Sequence, residues 1–215
     1  MKNIGIVINI LENYFKEYKT PTVRATSKDN NPFKTLISCL LSLRTQDKNT
    51  EKASKSLFAV ADTPEKILRL RQKKLEELIY SSGYYKNKAK TIKHVSEVIL
   101  KKYDGKVPST EQELLSIKGI GRKTANIVLA FAYNKPALPI DTHCHRIPNR
   151  LGWVKTKTPE QTEFELKKIL PEKYWMEFNT LFIKFGKNIC LPISPYCSKC
   201  PISFYCKKIG VEKSR

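Results

Sequence analysis

Between Cys190 and Cys206 the chain places four cysteines in seventeen residues, Cys190, Cys197, Cys200 and Cys206, spaced C-x6-C-x2-C-x5-C. Thiols this dense are hard to account for as core packing, and in a reducing compartment they read as metal ligands. Zinc usually sits between two close Cys or Cys/His pairs, and here only Cys197 and Cys200 form such a pair. The wide, uneven spacing better suits a larger cubane iron–sulfur cluster, although it matches neither common ferredoxin spacing. Zinc stays open as the alternative. Whatever is bound, the tail has to wrap around it. Of the two remaining cysteines, Cys39 lies in an apolar stretch and reads as a core residue.

The reducing compartment is itself an inference. Ile4–Leu11 is apolar but short, broken by Asn9 and followed by Glu12 and Lys16, which is not the pattern of a secretory leader. No stretch reaches the ~20 apolar residues of a membrane span. An intracellular protein, cytoplasmic and nucleoid-associated, is expected. Charge points the same way: 40 Lys and Arg against 20 Asp and Glu give a formal net charge of +20. A solvated thermophile surface would balance Lys with Glu. The excess predicts a polyanionic partner, with nucleic acid first.

Elsewhere the chain predicts helices. Ile4, Val7, Ile8, Leu11 and Phe15 recur at helical spacing before Pro21, the apolar stretch Pro32–Leu43 reads as a buried helix, and Ile92, Val95 and Ile99 stripe a helix with Lys on its other face. Thr63-Pro64, Thr110 with Glu113, and Thr158-Pro159 mark helix starts. Thr20–Asn31 is polar and reads as a linker. No period-two strand pattern occurs, so the expected fold is all-α.

Leu115 to Ala125 reads LSIKGIGRKTA, a Gly119-x-Gly121 turn between two helices, with Leu115 and Ile120 expected to anchor them together. Backbone N–H groups at the start of the second helix suit a phosphate, and Lys118, Arg122 and Lys123 flank the turn. An ordinary αα turn with a glycine cap is the bland reading; the charge favours phosphate binding. Lys123 falls in the first helical turn, where the macrodipole disfavours a cation. Such a setting favours the neutral amine that a Schiff-base nucleophile requires. A phosphate-contacting, protonated lysine fits equally well. Asp141 stands where a helix begins, as a capping residue or as a carboxylate stabilising positive charge at a sugar C1′. His143, Cys144 and His145 follow it, but neighbouring residues on a helix point apart, so no metal is expected there.

Together these residues resemble the endonuclease III family, the iron–sulfur branch of the helix–hairpin–helix DNA glycosylases. The likeness runs from Asn31-Pro32-Phe33 through Leu40-Leu41-Ser42, Val60 to Pro64, Gly119 to Asn126, Asp141-Thr142-His143, Arg146 and Asn149-Arg150 to the four cysteines. The resemblance implies a [4Fe-4S] cluster on Cys190, Cys197, Cys200 and Cys206. Lys123 is implied as the Schiff-base lysine and Asp141 as the catalytic aspartate. Two helical lobes are implied, a six-helix domain over 24–135 containing the hairpin, and a cluster domain of 1–23 with 136–215, with DNA in the cleft between. The implied activity is that of a monomeric bifunctional glycosylase and abasic-site lyase acting on oxidised pyrimidines in double-stranded DNA.

The likeness has departures. Arg44 stands where bacterial members carry a gap-filling Gln, and Tyr84 where a second wedge is usually Leu; the aromatic ring could stack on bases or belong to the core. The loop Leu191–Tyr196 lacks the basic residues the family often carries there. Mismatch glycosylases of the same superfamily replace the lysine at position 123, and a non-catalytic hairpin module would need neither Lys123 nor Asp141.

Overall fold

The computed structural model describes residues 3–29 and 31–215. Among the described residues every regular element is helical. The chain divides into two compact units, Thr22–Ala137 and a second made from the chain up to Pro21 with Leu138–Arg215.

The first helix, α1 (Ile4–Tyr14), belongs to the second unit and buries Ile4, Val7, Ile8 and Leu11, the predicted stripe. The Thr22–Ala137 unit then runs through α2 (Thr22–Ser27), α3 (Pro32–Ser42), α4 (Asp47–Phe58), α5 (Pro64–Arg69), α6 (Gln72–Leu78), α7 (Tyr85–Tyr103), α8 (Glu111–Ser116) and α9 (Arg122–Ala132). Among the described residues these are eight helical segments where the resemblance implied six, four of them only six or seven residues long. At the unit's centre lies α3, with Leu36, Ile37, Cys39, Leu40 and Leu41 fully buried and with α2, α4, α7 and α9 packed around it. Cys39 is the core residue expected, and its thiol donates to Thr124 Oγ1 on α9 at 3.5 Å.

The linker reading of Thr20–Asn31 is corrected by α2; Asn30 lies outside the described residues. This helix has no apolar stripe to announce it. Its first N–H, on Thr22, is held by the Asp47 carboxylate at 3.2 and 3.3 Å, a cap from 25 residues away. A local sequence pattern cannot carry that signal. Where caps are local, the pattern suffices: Thr63, Thr110 and Thr158 each accept a hydrogen bond from the backbone N–H three residues on, as does Asn31, which the linker reading includes.

In the second unit α10 (Thr142–Leu151), α11 (Pro159–Ile169) and α12 (Trp175–Asn188) join α1 around a mostly aliphatic core that also holds Phe15, Trp153, Phe178, Phe182 and Phe185. Phe178 and Phe182 stack at 3.9 Å, Trp153 lies 5.9 Å from Phe182, and Phe15 lies 6.2 Å from Phe185. Gly186 lets α12 approach α10, since a Cβ there would overlap the His143 ring. Two short 3-10 turns, Cys197–Lys199 and Ser203–Tyr205, are all the regular structure of the tail.

Candidate functional site

The hairpin is built from α8, a turn and α9. Leu114, Ile117 and Ile120 are buried, whereas Leu115 is 39% exposed. The anchor therefore runs through Leu114 and Ile117 with Ile120, and Leu115 is not part of it: on a six-residue helix the buried stripe falls one position earlier. Gly119 adopts φ +100, and a Cβ there would meet Thr91 Cγ2 at 2.6 Å, so the turn requires glycine. Gly121 has an ordinary φ of −93 and caps α9 without a side chain. A Cβ at Gly121 would meet nothing within 4 Å, so this helix start is open to a ligand. Lys118 and Arg122 are exposed beside it. Arg122 Nη1 pairs with Glu111 Oε1 at 2.8 Å, both half-exposed, a weak contact that a phosphate can displace. Lys123, one residue on, is half-buried in the first turn of α9.

In the other unit, Asp141 caps α10. Its Oδ1 accepts from His143 N at 2.9 Å and Cys144 N at 2.8 Å. The three residues after it diverge. His143 Nδ1 meets Arg146 Nη2 at 3.2 Å, His145 Nδ1 meets Thr162 Oγ1 at 2.6 Å, and buried Cys144 accepts from Asn179 Nδ2 at 3.6 Å. Burial first, and then the Asp141 charge, raises the Cys144 thiol well above its ordinary range. Lys123 and Asp141 belong to different units.

Cys190, Cys197, Cys200 and Cys206 line a single recess enclosing about 390 Å³ of non-atom space, its open mouth included, with Ile147, Phe185 and Ile202 among its apolar walls. Among the described residues no three His, Cys, Asp or Glu side chains converge tightly enough for a single metal ion. Four thiols lining one recess are the donor chemistry of a metal–sulfur centre. The sulfurs have donors as well: Arg150 Nη1 reaches Cys190 Sγ at 3.5 Å and Lys208 N reaches Cys206 Sγ at 3.3 Å. Arg150 also donates to the Leu191 and Pro192 carbonyls at 2.6 Å. The Leu191–Tyr196 loop is thus fixed by a buried guanidinium. Burial, with a smaller contribution from the three neighbouring thiols, pushes Cys200 up to about 11. Such a donor set becomes thiolate only against positive charge.

Arg44 and Tyr84, distant in sequence, are brought together. Both are exposed, Tyr84 at 62%, which removes it from the core. Both hold left-handed backbone, φ 50 and 59, and the guanidinium carbon lies 5.9 Å from the ring centroid. Beneath them sits Lys88, not on the lysine face expected of its helix but inside. It is buried, 8% exposed. The signal was present: Lys88 precedes Ile92, Val95 and Ile99 at helical spacing, so it belongs to the apolar stripe.

Comparisons with known proteins agree with this architecture. Residues 37–172 match the HhH-GPD superfamily base excision DNA repair protein model. Endonuclease III of Thermotoga maritima is 51% identical over 180 residues, 84% of each chain. Endonuclease III of Rickettsia conorii is 38% identical over 201 residues, covering 94% of this chain and 95% of its own. A solved endonuclease III trapped as a covalent DNA intermediate superposes with a TM-score of 0.84 at 32% identity, over 95% of this chain and 94% of that one. Among the described residues no helix is long and apolar enough to cross a membrane. With the glycine hairpin, the capped aspartate and the four-cysteine recess in one all-helical chain, the protein belongs to the endonuclease III family of the HhH-GPD superfamily.

Proposed function

We propose that this chain is a bifunctional DNA glycosylase and abasic-site lyase of base excision repair, which removes oxidised pyrimidines from double-stranded DNA and cleaves the strand at the abasic site. The observation that carries the reading is Lys123, a half-buried amine in the first turn of a helix whose start is open at Gly121. A relative of the same fold has been captured covalently on DNA.

In this reading Lys118, Gly119, Gly121 and Arg122 grip the backbone: exposed N–H groups and cations around a helix N-terminus hold a phosphate. Arg44 and Tyr84 fill the gap that opens when the damaged nucleotide leaves the stack, which costs least for a poorly stacked lesion. The Lys123 Nζ lone pair bonds to C1′ while the bond from C1′ to the base breaks, its electrons leaving with the base, which takes up a proton. Asp141, its carboxylate fixed by two backbone N–H bonds, stabilises the positive charge that develops on the sugar. The C1′–O4′ bond then breaks as nitrogen forms its double bond to C1′ and O4′ takes up a proton, opening the sugar to the imine. Loss of a C2′ proton from that imine expels the 3′ phosphate. The four cysteines are assigned to a [4Fe-4S] cluster, which when bound supplies cross-links among four points of the tail. That assignment makes the Leu138–Arg215 unit with α1 the cluster domain and the Thr22–Ala137 unit the hairpin domain. A monomer working on the chromosome inside the cell suits this role.

Borohydride reduction with abasic-site DNA tests the assignment. A covalent complex is expected from the native chain and none from Lys123→Ala. Undiminished trapping in the variant removes Lys123 from the reaction. Base release without trapping would indicate a monofunctional glycosylase, and neither outcome a binding module.

A further inference from the structure

Lys88 is a buried cation with only neutral oxygens as hydrogen-bond partners. Its Nζ donates to the Leu41 carbonyl at 2.7 Å, the Leu43 carbonyl at 2.6 Å, Thr45 Oγ1 at 2.8 Å and Ser82 Oγ at 2.8 Å. Three of these acceptors lie at the end of α3 or in the turn that follows it; the fourth lies in the turn before α7. The two turns are joined directly as well. Gly83 N donates to Thr45 Oγ1 at 3.0 Å, Ser82 Oγ donates to the Leu41 carbonyl at 2.9 Å, and a Cβ on Gly83 would meet the Arg44 carbonyl at 2.9 Å.

Arg44 sits between two of the acceptors, and Tyr84 follows the acceptor Ser82 by two residues in the other turn. Each holds a left-handed backbone that L side chains rarely adopt, and such conformations persist only where the surroundings over-determine them. An apolar residue at position 88 would fill the stripe of α7 without desolvating a charge. What a lysine adds is convergence: one ammonium gathers the backbone on both sides of Arg44 and ties it to the turn that carries Tyr84.

We propose that Lys88 is a positioning residue that holds the Arg44 and Tyr84 turns together as a single preformed wedge against a damaged duplex. The proposal rests on the reading of Arg44 and Tyr84 as DNA contacts. Lys88 does not touch DNA; it acts through Leu43, Thr45 and Ser82. Preorganisation of this kind raises affinity for the lesion without changing the chemistry at the sugar.

The test uses the full chain with two duplexes of equal length, one undamaged and one carrying a tetrahydrofuran abasic analogue opposite 2-aminopurine, whose fluorescence rises on unstacking. Lys88→Met is expected to weaken tetrahydrofuran-duplex binding about tenfold and suppress the fluorescence rise, while undamaged-duplex binding stays within about twofold. In an Arg44→Ala/Tyr84→Ala chain the same substitution is expected to cost nothing further, because coupled groups are not additive. Thr45→Val and Ser82→Ala each remove one acceptor, leave the lysine in place, and are expected to give the same pattern at about threefold; they decide the matter if Lys88→Met does not fold. Equal loss on both duplexes, or an undiminished Lys88→Met loss in the double-alanine chain, overturns the proposal while leaving the contact reading intact. Unchanged affinity and fluorescence in the double-alanine chain overturn the contact reading, and the role of Lys88 with it.

Discussion

Burial pushes the Lys88 ammonium down to about 8, and with it the stability of the chain becomes pH-dependent at one identifiable residue. The unfolded chain keeps this lysine protonated up to its ordinary value near 10.5. Between about 8 and 10.5 the unfolded state therefore binds more protons, and stability rises with pH across that window. Below it both states are protonated and the effect is flat. The unfolding free energy of the native chain relative to Lys88→Met is thus expected to grow with a slope of up to about 1.4 kcal/mol per pH unit, read by denaturant titration. A difference independent of pH would mean that the ammonium is as well solvated inside as out. Gly119 makes the opposite point at the same scale. Its φ of +100 and the nearby Thr91 methyl dictate the residue regardless of any ligand, so its presence is required by the turn before it is required by DNA.

At the scale of the element, Asp141 has two separable tasks, capping α10 and carrying charge. Asn caps as well as Asp does, whereas Ala does not. Asp141→Asn is therefore expected to keep the native melting temperature and to lose about 10²- to 10³-fold in base-excision rate, the typical loss when a group stabilising transition-state charge is removed. Asp141→Ala should lose the same activity and about 1 kcal/mol of stability in addition. Melting curves and single-turnover excision distinguish them, and an active Asp141→Asn chain would reduce the aspartate to its cap. The cap also depends on its neighbours. Gly186 in α12 leaves the space that the His143 ring occupies two residues from Asp141, so the first turn of α10 is set by a helix more than forty residues away.

Across the whole molecule, 20 excess positive charges set how strongly any duplex is held. Each phosphate neutralised contributes about −0.9 to the slope of log affinity against log salt concentration. Lys118→Ala, which removes an exposed cation from the hairpin, is expected to lower the magnitude of that slope by about 1 on damaged and undamaged duplexes alike. An unchanged slope would place the hairpin lysine off the phosphate backbone. The tail answers to a different physics. Ile202, fully buried, belongs both to the core of the Leu138–Arg215 unit and to the wall of the cysteine recess, so the ligand site and the core are continuous. Purified protein is expected to be brown, with iron and acid-labile sulfide at about four each per chain. Cys197→Ser is expected to lose that absorbance and to melt at lower temperature. A colourless protein carrying only zinc would refute the cluster.

Sequence by itself determined what depends on neighbours along the chain: the apolar stripes of α1, α3 and α7, the local caps at Thr63, Thr110, Thr158 and Asp141, the hairpin glycines, and the cysteine spacing that carries the family likeness. These follow from helical periodicity and from hydrogen bonds spanning three residues, both legible in a string of letters. Tertiary structure decided whatever needs a partner from far away. It made α2 a helix through Asp47, fixed the hairpin anchor at Leu114 rather than Leu115, gathered four uneven thiols around one recess, and set Arg44 beside Tyr84 over a buried lysine. The physical reason is common to all of these: the free energy of a buried polar group or a strained backbone is settled by the atoms that surround it in space, and the order of residues constrains those only through the completed fold.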